Sequence, residues 1–361
     1  MCLTRLTSYI VMAEDAAEGR FSRVGSSLHP SPGTRVLVTG ATGFIGGAVA
    51  ARLLGLGCTV VGLSRDEHRA RLLAKLGYQP ALGEIGNVQS LSRACTGCEI
   101  AIHCAALVGP GHPPREYARV IVEGTQNALS AAARAGVRRF VYVSSVAAYR
   151  RPRLWPRRGV EVIDEDSPLG QAGEPYGESK ARAEALCRSF YNRGELNIAV
   201  VRPTLVYGPN DRGFLPFLIQ ALRRRKIRLI DGGTAPVSLV HVSDVAEAIL
   251  RAAVAERAEG RAYNLDGPDR LTWHAFVAKL TRELGMREPQ SVPWPIAWAL
   301  GAACEVGAAA RLISEPPLSR AVVRFFVAQR RFSTARAEYE LGHRSRVSLE
   351  DALPASLVGL A

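Results

Sequence analysis

Short apolar runs alternate along the chain with longer stretches that mix polar and apolar residues at helical spacing. Arg35-Val36-Leu37-Val38-Thr39 is a β-branched run that ends in glycines, and Ala48 to Leu56 then reads as a helix. Cys58 to Leu63 is a second apolar run, followed by a polar helix over Asp66 to Leu76. Further strand-like runs lie at Ile100–His103, Phe140–Val143 and Ile198–Val201, with helical stretches near 123–135 and 178–193 between them. Strands that alternate with helices imply right-handed crossovers and a parallel sheet covered on both faces. The pattern predicts a doubly wound α/β fold.

After Pro209 the alternation weakens. Residues 214–228 read as a basic amphipathic helix, Ser238 to His241 as a strand, Asp244 to Ala255 as a helix and Ala262 to Leu265 as another strand. Beyond 270 the chain reads as mainly helical, with Pro293 and Pro295 marking a break. The expected organisation is a loosely ordered extension over 1–33 and a sheet domain built from 34–206 plus 238–267. A smaller, mainly helical lobe is expected from 207–237 plus 268–361. No internal repeat interrupts this scheme.

Composition narrows the class. With 361 residues, 47% hydrophobic and 22% charged, the chain is too apolar for disorder, and its 7 cysteines are too sparse for a disulfide scaffold. The cysteine usage suits a reducing cytoplasm. The net charge of +13 comes almost wholly from arginine, since Lys75, Lys180, Lys226 and Lys279 are the only lysines. An arginine bias spread over a whole chain is compositional. With no zinc-finger spacing, RNP motif or long basic helix, no nucleic-acid partner is expected.

The first chemical signal is Gly40-Ala41-Thr42-Gly43-Phe44-Ile45-Gly46, placed after the first strand and before the first helix. Glycines there allow a tight turn and close approach of a pyrophosphate, whose charge meets the helix N-terminus. That context predicts a Rossmann-type dinucleotide site. A second signal is Tyr176 with Lys180, four residues apart on one face of a predicted helix. A tyrosine titrates near pH ~10, and a nearby ammonium would stabilise its phenolate.

The wording of the glycine loop resembles the extended short-chain dehydrogenase/reductase family, the NAD(P)-dependent epimerase/dehydratase-like group. The resemblance recurs at His103-Cys104-Ala105-Ala106, Gly124-Thr125-Gln126-Asn127 and Val143-Ser144-Ser145. It continues through Tyr176-Gly-Glu-Ser-Lys180, Arg202-Pro203-Thr204-Leu205-Val206-Tyr207-Gly208-Pro209, His241-Val242-Ser243-Asp244 and Glu340-Leu341-Gly342, covering about residues 34–353. It implies a catalytic set of Ser145 as the oxygen-positioning donor, Tyr176 as acid/base and Lys180 as its pKa-lowering partner. The implied cofactor contacts are Gly40, Thr42, Gly43, Phe44, Ile45, Gly46, Ser64, Arg65, Glu84, Ile85, Cys104, Ala105 and Ala106. Tyr176, Lys180, Pro203, Thr204 and Val206 complete them. A homodimer is expected on the same ground.

Departures from the family pattern sharpen the reading. Nucleotide-sugar dehydratases carry an Asp-Glu pair where this chain has Val146 and Ala147, so β-elimination lacks its acid and base. Epimerases commonly carry Arg-Asp where Val237 and Ser238 stand, and Ile121 replaces a frequent asparagine. The Val237-Ser238-Leu239-Val240-His241-Val242 stretch looks more like the 3β-hydroxysteroid dehydrogenase-like branch. Ketone/alcohol interconversion on a largely apolar substrate (sterol-like, phenolic or β-keto acid) is therefore expected. A nucleotide-sugar epimerase with tightly bound NAD, or a non-catalytic dinucleotide-sensing regulator, are the alternatives. At the end of the second strand, Ser64 and Arg65 replace the acid that would bind ribose hydroxyls, which favours NADP over NAD.

Other signals carry less. Cys95, Cys98, His103 and Cys104 could be read as a zinc site, but alternating strand side chains do not converge, and no metal is expected. Trp294 to Ile313 is long and apolar, yet Glu305 interrupts it, so it reads as a cap helix with peripheral membrane contact at most. Arginines cluster at Arg150, Arg151, Arg153, Arg157 and Arg158 and again at Arg223, Arg224, Arg225 and Arg228. They read as solvated surface, with an anionic group on the small-molecule substrate as the functional alternative.

Overall fold

The computed structural model describes residues 28–109, 111–150, 159–170, 174–310, 312 and 318–360. Seven strands form one sheet: β1 (Arg35–Thr39), β2 (Thr59–Ser64), β3 (Gln79–Leu82), β4 (Ile100–His103), β5 (Arg139–Val143), β6 (Asn197–Pro203) and β7 (Ala262–Leu265). Their order across the sheet is β7-β6-β5-β4-β1-β2-β3 and every pairing is parallel. Leu37 of β1 lies between Val61 of β2 and Ala101 of β4, which fixes the register at the centre. The strand order reverses between β1 and β4. In open parallel sheets that switch point opens a crevice at the carboxyl ends of the strands, where ligands bind.

Side chains of a strand point alternately to opposite faces, and the core divides accordingly. Val36 and Val38 belong to one apolar cluster with Val49, Leu53 and Ile249. Leu37 belongs to another, with Leu91, Leu129, Phe140 and Cys187. The first face is covered by α1 (Phe44–Gly55) and α2 (Glu67–Lys75). The second is covered by α3 (Val88–Cys95), α4 (Gly124–Arg134) and α5 (Pro175–Asn192). The later helix α7 (Val242–Val254), which follows α6 (Phe214–Arg223), also packs on the first face.

The sheet strand β3 escaped the sequence pattern because it is an edge: its residues are exposed or half-buried and it contains Pro80. The helical reading near 123–135 was too short. A turn at Pro114–Tyr117 and a π-helical stretch at Ala118–Glu123 run directly into α4. The helix expected over 214–228 ends at Arg223, and Leu229–Ile230 forms a short strand beside Ser291–Val292. The run at Leu239–His241 is a strand, but it pairs with Leu205–Tyr207 outside the seven-stranded sheet.

Residues 1–27 of the expected extension lie outside the described residues. Its described end is anchored: His29 Nε2 lies 2.5 Å from Glu247 Oε1, and the Gly33 N–H donates to the Gly57 carbonyl at 2.8 Å. The lobe has its own core, in which Tyr207, Leu215 and Leu353 surround Trp273 and Phe276 of α8 (Trp273–Glu283). Beside it, α9 (Trp294–Ala309) packs on α10 (Arg320–Phe326) through Ala297 and Val323. Glu305 of α9 pairs with Arg320 at 2.7 Å. Among the described residues no helix is long and apolar enough to cross a membrane.

Candidate active site

A cavity of about 1580 Å³ opens at the switch point and runs from the loop after β1 to the lobe. Its first wall is the glycine loop. Gly40 has φ +73°, and a Cβ there would lie 3.0 Å from the Ala105 backbone nitrogen. At Gly46 a Cβ would sit 2.2 Å from the Gly40 carbonyl oxygen, so only glycine lets α1 start this close to the strand. Asp66 caps α2 and Asn87 caps α3, but α1 begins at Gly43 with no side-chain cap and no acid in its first turn. The glycine cradle and the uncapped helix start fit a dinucleotide pyrophosphate.

Thr42, Phe44 and Ile45 line this wall, and Cys104, Ala105 and Ala106 line the opposite one after β4. His103 fixes that second wall from behind. Its Nδ1 lies 2.7 Å from Thr39 Oγ1 and its Nε2 lies 3.3 Å from Thr125 Oγ1, while Thr39 Oγ1 also accepts the Ala105 N–H. Burial, with Lys180 nearby, holds the imidazole down to about 3, so it stays neutral. Both ring nitrogens are thus committed to threonines. Among the described residues no group of three or more His, Cys, Asp or Glu side chains could hold a metal ion.

At the far end of this wall Ser64 is buried and its hydroxyl donates to the Asp66 carbonyl at 3.0 Å. Arg65 is exposed on the cavity edge and makes no ion pair among the described residues. Arg69, one turn into α2, also lines the cavity and lies 3.4 Å from Asp66. Glu84 and Ile85 complete the pocket, with the Ile85 carbonyl accepting from Asn127 Nδ2 at 3.0 Å. Arg69 was not singled out from the sequence, although its place one turn beyond Arg65 was a usable signal.

The candidate catalytic side chains lie between β5 and α5. Ser145 follows β5 in extended backbone, and its Oγ accepts the Ala147 N–H at 3.1 Å. Tyr176 stands near the start of α5, where the Ser145 hydroxyl favours the ionised form of its phenol. Burial pushes the Tyr176 hydroxyl up to about 12, the Ser145 contact pulls it down, and Tyr117, edge-on at 6.2 Å, adds to the rise. Lys180 behaves differently from the expectation of a partner on the tyrosine. It is 2% exposed, does not line the cavity, and donates to the Val143 carbonyl at 2.7 Å. Its Nζ lies 4.9 Å from the Tyr142 ring centroid and 6.0 Å from that of Tyr176. Burial holds its ammonium down to about 8, against the pull of Cys104 and Glu184.

Pro203, Thr204 and Val206 line the cavity after β6. Beyond them the wall becomes apolar and aromatic, with Leu205, Phe214, Phe217, Trp273, Phe325 and Phe332. Arg212 and Arg330 also reach this side, Arg330 pairing with Glu161 at 3.1 Å. Neither arginine cluster lines the cavity among the described residues. Arg151, Arg153, Arg157 and Arg158 lie outside those residues, and Arg223 donates instead to the Leu360 carbonyl. The aromatic wall was not legible as a site because its residues come from segments far apart in the chain.

The sequence of residues 36–266 matches the NAD dependent epimerase/dehydratase family. The chain belongs to that family. A 4-hydroxy-2-methyl-3-oxo-4-farnesyl-3,4-dihydroquinoline-1-oxide ketoreductase of Stigmatella aurantiaca is 32% identical over 332 residues, covering 89% of this chain and 95% of the relative. A 2-alkyl-3-oxoalkanoate reductase of Stenotrophomonas maltophilia is 27% identical, covering 88% of this chain and 97% of the relative. Among solved structures, that of gox2253 superposes with a TM-score of 0.75 at 28% identity, covering 90% of this chain and 97% of that one. A dinucleotide cofactor of the NAD(P) type is typical of the family.

Proposed function

We propose that this chain is an NADP(H)-dependent ketoreductase acting on a carbonyl carried by a largely apolar skeleton. The observation that carries the reading is the place of Tyr176 and Ser145. Both line the cavity that also carries the glycine loop and the aromatic wall of Phe214, Phe217 and Trp273. When bound, the nicotinamide supplies or takes up a hydride. The chain's own residues manage the oxygen. Ser145 holds the carbonyl oxygen by a hydrogen bond, and the Tyr176 O–H donates its proton to that oxygen as charge develops there. A phenol that stays protonated to about 12 suits a proton donor, which is the direction of reduction.

The names of the two relatives support the same reading, since each carries a 3-oxo group together with an alkyl or farnesyl chain. Arg65 just past β2 and Arg69 in the first turn of α2, with Ser64 rather than an acid closing the strand, support NADP over NAD through charge-assisted contacts to a 2′-phosphate. Arg212 on the lobe side gives an anionic group of the substrate a counter-charge. The test is a panel of β-keto acids, aryl ketones, sterol ketones and UDP-sugars with NADPH and NADH, read by loss of reduced-nicotinamide absorbance. Turnover of a ketone with NADPH is expected. Turnover of a UDP-sugar, with stoichiometric NAD released on denaturation, would instead establish an epimerase.

A further inference from the structure

Asp266, just past the end of β7, is 4% exposed and does not line the cavity, yet it grips two residues that do. Thr204 Oγ1 donates to its Oδ1 at 3.1 Å and Ser238 Oγ donates to its Oδ2 at 2.9 Å. The Gly267 N–H adds a third donor to Oδ1 at 3.0 Å, and the Arg270 guanidinium stands 3.9 Å from Oδ2. Backbone bonds tie the same three segments together. The Thr204 N–H donates to the Leu265 carbonyl at 2.9 Å and the Leu205 N–H to the Ser238 carbonyl at 3.2 Å.

The chemistry of a hydroxyl decides what this arrangement offers a ligand. Serine and threonine each have one proton to donate and two lone pairs to accept with. An ionised carboxylate can only accept, so each hydroxyl bonded to it has spent its proton. What remains for the cavity is an acceptor on Thr204 and an acceptor on Ser238. Thr204 follows β6, the neighbour of β5, and Ser145 follows β5, so Thr204 flanks the reacting end.

We propose that Asp266 is a positioning residue that holds both hydroxyl protons and presents Thr204 as a hydrogen-bond acceptor for the carboxamide N–H of the nicotinamide. Ser238 is the second arm of the lock and offers its own acceptor toward the lobe. This rests on the dinucleotide-binding reading given above, and it adds a requirement on the ligand: a donor at this corner.

Equilibrium dialysis of NADP⁺ and of its 3-acetylpyridine analogue, whose methyl ketone has no N–H, tests it without turnover. The wild-type protein should bind NADP⁺ about fivefold more tightly than the analogue, the span of one neutral hydrogen bond. Thr204→Val should bring that ratio within about twofold of unity, and Thr204→Ser should restore it. Asp266→Ala should also collapse it, because the freed Thr204 proton can then be donated to the carbonyl of either nucleotide. Asp266→Asn should keep it, because the Gly267 N–H holds the amide oxygen at the Oδ1 place, where Thr204 still donates. Ser238→Ala should keep it as well. A ratio that survives Thr204→Val, or survives Asp266→Ala in a folded protein, overturns the assignment. If Asp266→Ala does not fold, the Thr204 pair decides. Wild-type protein that binds both nucleotides equally overturns this inference alone, whereas wild-type protein that binds neither overturns the proposed function with it.

Discussion

Arg202 and Glu184 form a buried, two-pronged ion pair. Arg202 Nε donates to both carboxylate oxygens at 3.0 and 3.1 Å, Nη2 reaches Oε2 at 2.6 Å, and neither residue is more than 4% exposed. The pair ties α5, which carries Tyr176, to β6, the strand beside β5. Glu184 belongs to α5, which carries Tyr176 in its first turn, and its Oε1 takes the proton of Ser144, the neighbour of Ser145. Arg202 extends the network through the Tyr149 hydroxyl at 2.7 Å, which in turn donates to Asn264. Removing one member leaves the other charge buried without its counter-ion. Glu184→Gln should therefore destabilise the protein by about 3–5 kcal/mol. Urea unfolding measures this, and a loss below about 1 kcal/mol would show that the pair is not uncompensated when broken.

Tyr176→Phe removes one hydroxyl and leaves the ring against Tyr117. Fold and nucleotide affinity should be nearly unchanged, while ketone reduction falls at least about a hundredfold, the usual scale of a lost general acid. Steady-state rates alongside nucleotide dialysis check both halves. Near-normal turnover would take the proton-donor role away from Tyr176.

The central strands and the site were legible for one physical reason each, and the rest was hidden for another. β1, β4 and β5 are covered on both faces, so they appear as unbroken apolar runs such as Phe140-Val141-Tyr142-Val143. The edge strand β3 is mostly exposed, with only Ala81 half-buried against the core, and carries no such run. The glycine loop and Tyr176 were visible because their chemistry needs particular residues at fixed spacing within one segment. The Thr204-Ser238-Asp266 arrangement was not, because its members lie on three separate stretches that only the fold brings together. Lys180 was legible as a residue but not as a contact: its ammonium turns to the Val143 carbonyl.

The proposed preference for NADP predicts a role for Arg65. Its side chain is exposed at the cavity edge beside Ser64 and Arg69, with no acidic partner among the described residues. Arg65→Asp turns an attraction for a 2′-phosphate into a repulsion and gives a ribose hydroxyl an acceptor. NADP⁺ affinity should fall by about tenfold or more while NAD⁺ affinity holds or rises, consistent with the loss of one charge-assisted bond. Dialysis with both nucleotides reads the change. Equal losses for the two would remove Arg65 from the discrimination.

At Lys180 a buried charge works against stability. Its ammonium is buried at 2% exposure, and burial holds its pKa down to about 8. An unfolded lysine keeps its proton to about 10.4, so between those values the unfolded chain binds more protons than the folded one. Stability from this group therefore rises as pH climbs from about 8 to about 10.4, and is lost as pH falls through 8. Below that window the buried charge costs roughly 3 kcal/mol by the size of the shift, offset by about 1 kcal/mol from the bond to the Val143 carbonyl. Lys180→Met fills similar space without a charge. Without added nucleotide it should be about 2 kcal/mol more stable than wild type at neutral pH. That advantage should shrink steadily above pH 8, because only the wild-type protein gains there. The same substitution should abolish ketone reduction if Lys180 serves the site. Urea unfolding of both proteins across that pH range measures the difference directly, with titrations common to both cancelling. A wild-type protein that is the more stable of the two at neutral pH would mean that the ammonium is compensated in the folded state.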